Sequence, residues 1–141
     1  MRNSELQRQN PEFIAVDVDI KSAEDLAPLV SALERKVHVT YVTRLGRRHW
    51  FHLMLIGSPR TPSVAIRQYA KIFDRLPQRA KRLLRHAAKE FDIGFKGGLD
   101  PTAENLALAL NEWVLSAKDI ETVARLGASV RVKIYASKYE R

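Results

Sequence analysis

The sequence contains the same short pattern twice, and this repeat constrains the fold more than any other feature. The copies occupy residues 22–41 and 116–135, and each begins with a Ser that is followed by an Asp three residues later. Each copy continues with apolar residues at helical spacing and ends with an alternating Val-x-Val. A Ser cap, helical spacing and then alternation predict a helix followed by a strand. We therefore expect two such units, capped by Ser22 and Ser116, with both helices on one face of a sheet.

Alternating apolar and polar residues predict further strands around the two units. In all, six strands are expected, at residues 13–20, 37–43, 49–56, 91–96, 106–110 and 130–134. Two further helices are expected between the third and fourth strands, the first capped by Ser63 and the second starting after the break at Pro77. The predicted class is α+β, with a single mixed sheet of about six strands and helices mainly on one face. The order corresponds to a ferredoxin-like β-α-β-β-α-β series that is extended by a repeated β-α-β unit.

The chain is expected to form a single domain over residues 1–141, with residues 1–10 and 137–141 as frayed ends. The absence of cysteine excludes disulfides, thiol catalysis and thiolate metal sites. No apolar run approaches the ~20 residues of a membrane-spanning helix, and the polar N-terminus lacks the apolar core of a secretory signal. No membrane span is therefore predicted, and a cytoplasmic location is expected.

The net charge of +8 and the pI near 10.0 favour an anionic partner, either nucleic acid or an acidic protein. Residues 60–89 hold nine Lys and Arg residues and one acid, so this region accounts for the entire excess of positive charge. Six of these cations are the predicted anion-binding residues: Arg67, Lys71, Arg75, Arg79, Arg82 and Arg85. Like charges four residues apart on a helix repel, and an anion would relieve that repulsion. The alternative is a solvated helix face without a specific partner.

A second candidate site consists of carboxylates. Asp17 and Asp19 lie two residues apart on a predicted strand, which places both on the same face about 7 Å apart. If the strand that carries Asp92 is a neighbour, three carboxylates could converge and hold Mg²⁺. Outward-facing carboxylates on strands are commonly just solvated, so no metal site and no cofactor is the main prediction. His49 and His52 are three residues apart and point to opposite faces of a strand, which argues against joint metal ligation.

Three segments together resemble a known family: residues 16–20 (Val-Asp-Val-Asp-Ile), residues 91–94 (Phe-Asp-Ile-Gly) and residues 126–130 (Leu-Gly-Ala-Ser-Val). The chain resembles a family of small bacterial proteins of about this length, which is catalogued only as a domain of unknown function. The resemblance covers nearly the whole chain and implies a stand-alone, single-domain bacterial protein. It implies no activity, cofactor or catalytic residue.

Two functions from different classes follow. The first is a non-enzymatic binding module whose basic helical face, at about residues 60–89, engages nucleic acid or an acidic protein; an immunity-type inhibitor of an acidic toxin is a narrower version. The second is a metal-dependent enzyme that acts on phosphodiesters through Asp17, Asp19 and Asp92. The aromatic residues are expected in the core rather than as a base-stacking platform: Trp50, Phe51, Tyr69 and Trp113. The oligomeric state is not predicted.

Overall fold

The structure is a computed structural model, and it describes residues 12–41, 49–96 and 114–135. Within these residues the chain forms five strands and four helices. In chain order they are β1 (Glu12–Ser22), α1 (Ala27–Leu33), β2 (Val37–Tyr41), β3 (His49–Leu55), α2 (Pro62–Asp74), α3 (Gln78–His86), β4 (Ala88–Lys96), α4 (Ala117–Arg125) and β5 (Ala128–Tyr135). The predicted α+β class with one mixed sheet is confirmed. The sixth strand expected at residues 106–110 lies outside the described residues, as do the expected frayed ends.

The five strands form one sheet in the order β2-β3-β1-β4-β5. All neighbouring pairs are antiparallel except β4 and β5, which are parallel. β1 and β3 therefore each pair with a strand on both sides. In this arrangement Asp17 lies opposite Asp92 on β4, and Asp19 lies opposite His52 on β3.

One face of the sheet carries the core. Along β1, every second residue is apolar and buried on this face, namely Val16, Val18 and Ile20. The polar residues between them point to the other face of the sheet. The helices and the other strands complete the same cluster with Leu29, Leu33, Leu53, Ile66, Tyr69, Phe73, Leu84, Phe91, Ile93 and Val123. Each large apolar side chain buried in this way contributes about 1.5–3 kcal/mol. All four described helices thus pack on one face, which confirms the placement of the two repeat helices.

The predicted Ser22 cap is wrong. Ser22 is the last residue of β1 and pairs with His49, so its backbone belongs to the sheet. The helix begins later, at Ala27; its N-cap residue is Leu26, which has no capping side chain, and the Asp25 carboxylate accepts a hydrogen bond from the Ala27 N–H at 3.0 Å. The reason is Pro28, which lacks a backbone N–H and is tolerated only in the first turn, where that group has no helical partner.

The second copy behaves as expected. The Ser116 hydroxyl accepts a hydrogen bond from the Asp119 N–H at 3.1 Å, and the Asp119 carboxylate accepts one from the Ser116 N–H at 3.2 Å. These two bonds form a reciprocal capping box at the start of α4. After α4, Gly127 takes a left-handed φ of 65°, which a side chain would strain, and the chain turns directly into β5.

The predicted Ser63 cap is also wrong, by two residues. Thr61 caps α2, since its hydroxyl accepts a hydrogen bond from the Val64 N–H at 3.2 Å, and Pro62 occupies the first turn. The Ser63 hydroxyl is directed instead at Asp119 on α4. The break at Pro77 is as expected, because α2 ends at Asp74 and α3 begins directly after this proline.

The apolar residues of β5 are less buried than their alternation predicts. Val130, Val132 and Ile134 share the core face of the sheet but are 42%, 56% and 68% exposed. α4 has nine residues and spans ~14 Å, whereas the eight residues of β5 span ~26 Å. Among the described residues, α4 therefore covers the start of β5 and leaves its end open.

Candidate functional site

The six predicted anion-binding cations are all exposed, but they do not form one stripe. Arg67 and Lys71 lie on α2, and Arg75 is the residue at which α2 ends. Three more lie on α3, namely Arg79, Arg82 and Arg85. The bend at Pro77 separates the two groups, so each has different neighbours.

Lys71 and Arg75 lie in a groove between α1 and α2, with a volume of about 330 Å³. The facing wall supplies two cations that the sequence did not single out, Arg35 and Lys36, which follow the C-cap of α1, Glu34. We call the groove lined by these four cations the basic groove. Its floor is apolar and includes Ala32, Ile72, Leu76 and Pro77.

The four cations of the basic groove are not paired with any described carboxylate, although Glu34 directly precedes Arg35 in the sequence. Within the described part of the chain, none of the four forms an ion pair or a side-chain hydrogen bond. Among the described residues no acid lines the groove, and Asp74 is turned to the other side of α2, where its carboxylate pairs with Arg125 at 3.2 Å. The C-terminal ends of α1 and α2 add only about half a negative charge each. The groove therefore keeps a clear positive excess.

A second, smaller groove lies between α3 and α4, with a volume of about 190 Å³. Arg85, Lys81 and Lys89 line it, but here Asp74 and its ion pair with Arg125 are present as well. Arg79 and Arg82 line neither groove. Of the six predicted residues, only Lys71 and Arg75 thus line the basic groove, together with the two cations that were not predicted.

Lys89, which contributes to the basic count of residues 60–89, is not a surface cation. It is 6% exposed, and its ammonium donates hydrogen bonds to the carbonyl oxygens of Leu84 at 2.7 Å and Ala87 at 2.8 Å. The Leu84 carbonyl lies in the last turn of α3 and also accepts a hydrogen bond from the Ala87 N–H at 3.3 Å, and Ala87 is the residue that directly follows α3. Burial lowers the pKa of Lys89. Lys89 therefore stabilises the C-terminal end of α3, and its buried ammonium is not available to a partner.

Arg67 is also engaged within the protein. Its guanidinium donates to the Ser63 hydroxyl at 2.9 Å, and that hydroxyl donates to the Asp119 carboxylate at 3.0 Å. Burial raises the pKa of Asp119, but the hydrogen bonds from Ser63 and Ser116 outweigh it, and the pKa stays below its ordinary value. Arg67 therefore helps to connect α2 to the buried cap of α4.

The carboxylates lie on the face of the sheet opposite the helices, which we call the open face. Asp17 and Asp19 are bridged there by His52: the imidazole Nε2 is 3.0 Å from Asp17 and the Nδ1 is 2.8 Å from Asp19. The Trp50 indole N–H donates a further hydrogen bond to Asp19 at 3.2 Å, and the ammonium of Lys21 lies 4.1 Å from the centre of the Trp50 ring. Trp50 thus belongs to the open face, and its prediction as a core residue is wrong.

The bridge shifts the protonation of its members. Burial lowers the pKa of His52, but hydrogen bonding to Asp19 and the charges of both carboxylates raise it more, so the pKa lies above the ordinary value. Burial raises the pKa of Asp17, His52 lowers it, and the nearby charges of Asp92 and Asp19 add to the rise, so the pKa is raised overall.

Asp92 shares the open face with Asp17, because β4 is a neighbour of β1, as the carboxylate site requires. However, Asp92 is paired with the ammonium of Lys133 at 2.7 Å, and His52 occupies the space between the other two. Across residues 12–41, 49–96 and 114–135, no group of three or more His, Asp and Glu side chains is arranged to hold a metal ion. Each carboxylate already has a positive or potentially positive partner.

Sequence reasoning missed Arg35, Lys36 and His52. Arg35 and Lys36 stand outside the basic stretch, and a local signal was available, since the two cations lie just beyond the end of a predicted helix, after Glu34. His52 carried no local signal, because its two partners depend on the register between β1 and β3.

No family model, curated protein or solved structure matches this chain. The resemblance to the bacterial family therefore stays a prediction. No helix in the described part of the chain is long and apolar enough to cross a membrane.

Proposed function

We propose that this protein is a binding module that engages an acidic partner through the basic groove between α1 and α2. One observation carries the proposal: Arg35, Lys36, Lys71 and Arg75 surround a single groove, and none is paired with a described carboxylate. The mutual repulsion of cations held around one concave site is relieved when an anion enters, and a low-dielectric wall strengthens that attraction. The remaining exposed cations of α3 add to the field that attracts such a partner.

The alternative, a metal-dependent enzyme that uses Asp17, Asp19 and Asp92, has weaker support. A divalent cation would need carboxylate oxygens that are free to converge on it. In the open face His52 bridges the first two carboxylates, and Lys133 pairs with the third. The side chains would have to exchange these partners before a metal could bind.

We further propose that the first four strands form a ferredoxin-like arrangement. The four strands β2-β3-β1-β4 are consecutive neighbours with antiparallel pairing, and the helices pack on one face. This order supports a ferredoxin-like series, to which α4 and β5 add a further unit. We propose that residues 106–110 supply the sixth strand, which lies outside the described residues.

The proposal is tested by titrating the full chain with two labelled anions, a short mixed-sequence RNA and an oligo-glutamate peptide. Binding of at least one at about 50 mM salt is expected. If four phosphates of a single strand contact the groove, affinity for the RNA falls about fiftyfold between about 50 and about 200 mM salt. Absence of binding to both anions at the lower salt concentration would overturn the proposed function.

A further inference from the structure

The walls of the basic groove are charged, but its floor is not. Ile72 is half-buried and Leu76 is 7% exposed, and together with Ala32 they form an aliphatic surface below the four cations. The groove volume of about 330 Å³ is at the lower end of the range for pockets that hold small ligands or single anchoring side chains. A partner that filled the groove would therefore have to satisfy an apolar floor and a cationic rim at the same time.

We infer that the occupant is an acidic peptide segment of a partner protein, which places one aliphatic side chain on the floor and carboxylates on the rim. This inference rests on the proposed function. The charge complementarity is specific to the groove, because the described residues that line it include four cations and no acid. Arg35 and Arg75 present planar guanidinium groups, which match the two oxygens of a carboxylate.

Nucleic acid fits the same groove less well. Proteins that bind single strands through their bases use aromatic side chains as stacking platforms, and none of the described residues that line this groove is aromatic. A phosphate backbone has no aliphatic group that would cover Ile72 and Leu76. It would satisfy the rim and leave the floor uncovered, whereas an aliphatic side chain removes that surface from water.

The inference is tested with two labelled peptides of equal length and equal negative charge. One alternates Glu with Leu, and the other alternates Glu with Ser; a short mixed-sequence RNA is the third probe. The Leu peptide is expected to bind the full chain about tenfold more tightly than the Ser peptide, since one leucine side chain is buried on binding. Lys71→Glu should weaken binding of both peptides by a similar factor.

Two variants of the groove lining separate the apolar contribution from the charge. Ile72→Ala shortens the floor and should reduce the Leu-to-Ser preference, provided that its melting temperature shows it to be folded. Ser31→Leu provides an independent check, because Ser31 is an exposed residue at the groove and the change enlarges the apolar surface without removing a core contact. It should increase the preference for the Leu peptide.

The outcomes distinguish this inference from the proposed function. Equal affinity for the two peptides, no response of their ratio to both variants, or tighter binding of the RNA than of either peptide would overturn the peptide assignment. In these cases an anion still binds, so the proposed function stands. If none of the three probes binds at low salt, both proposals fail.

Discussion

The Nδ1 nitrogen of His52 lies 2.8 Å from Oδ1 of Asp19, directly across the pair formed by β1 and β3. The Nε2 nitrogen of the same ring lies 3.0 Å from Oδ2 of Asp17. A neutral imidazole has one N–H donor, whereas two ionised carboxylates need two. We therefore expect an imidazolium at this position, which would donate one hydrogen bond to each aspartate and join the two strands.

The first prediction is that His52 stays protonated above the ordinary histidine pKa of about 6.5. A base whose pKa is raised by folding stabilises the protein fully below its ordinary pKa. It loses that contribution as the pH rises through the raised value. An NMR titration of the ring resonances should place the midpoint above the ordinary value, and a midpoint at or below it would contradict the bridge.

The same bridge predicts a pH-dependent stability that His52→Gln removes. Near pH 6 the free energy of unfolding of the variant should be about 1 kcal/mol lower than that of the original chain, because two partly buried carboxylates lose a charged donor. The difference should shrink as the pH rises. His38→Gln is the matched control, since His38 is an exposed residue on β2. Urea unfolding at several pH values measures both, and equal effects of the two changes would exclude a special role for His52.

The second prediction uses the repeat as its own control. Ser116→Ala should lower the free energy of unfolding by about 1 kcal/mol, because it removes the cap of α4. Ser22→Ala changes the corresponding residue of the first copy, which caps no helix. It should cost clearly less, since the Ser22 hydroxyl accepts a single exposed hydrogen bond from the Glu24 N–H. Equal losses in urea unfolding would argue against the helix start at Ala27.

The third prediction concerns the buried Lys89. Lys89→Met should lower the free energy of unfolding by about 1–3 kcal/mol, because the buried ammonium no longer donates hydrogen bonds to the carbonyls of Leu84 and Ala87. Lys81→Met on the same helix removes the same charge from a more exposed position and should cost little. Neither change should abolish anion binding. A stable Lys89→Met protein would show that the lysine is dispensable for closing α3.

Local patterns in the sequence predicted the parts of the fold that depend on local interactions. The cap formed by Ser116 and Asp119 was readable, because its residues are three apart and need no tertiary contact. The equivalent prediction for Ser22 failed because two local signals conflicted there. The backbone requirement of Pro28 overrode the capping preference, and the extended pairing of Ser22 with His49 took its place.

Less of the candidate site could be predicted from the sequence, because the site depends on packing between elements that are distant in the chain. Lys71 and Arg75 were identified from helical spacing alone. Their neighbours Arg35 and Lys36 come from the opposite wall, and only the packing of α1 beside α2 brings the four together. The count of cations in residues 60–89 also included Lys89, whose burial cannot be inferred from charge or spacing.

The central claim is that the basic groove, and not the overall positive charge, binds the acidic partner. Two double variants with the same change in charge test it: Lys71→Glu with Arg75→Glu in the groove, and Arg79→Glu with Arg82→Glu on α3 outside it. All four side chains are exposed, so circular dichroism should confirm that both proteins remain folded.

The decisive measurement is the affinity of each double variant for the oligo-glutamate peptide and the mixed-sequence RNA at about 50 mM salt. We expect the groove variant to lose at least about tenfold in affinity and its salt slope for RNA to fall by about 1.4, for two lost phosphate contacts. The α3 variant should change much less. Equal losses in the two variants would contradict the account, because binding would then follow net charge and not the groove.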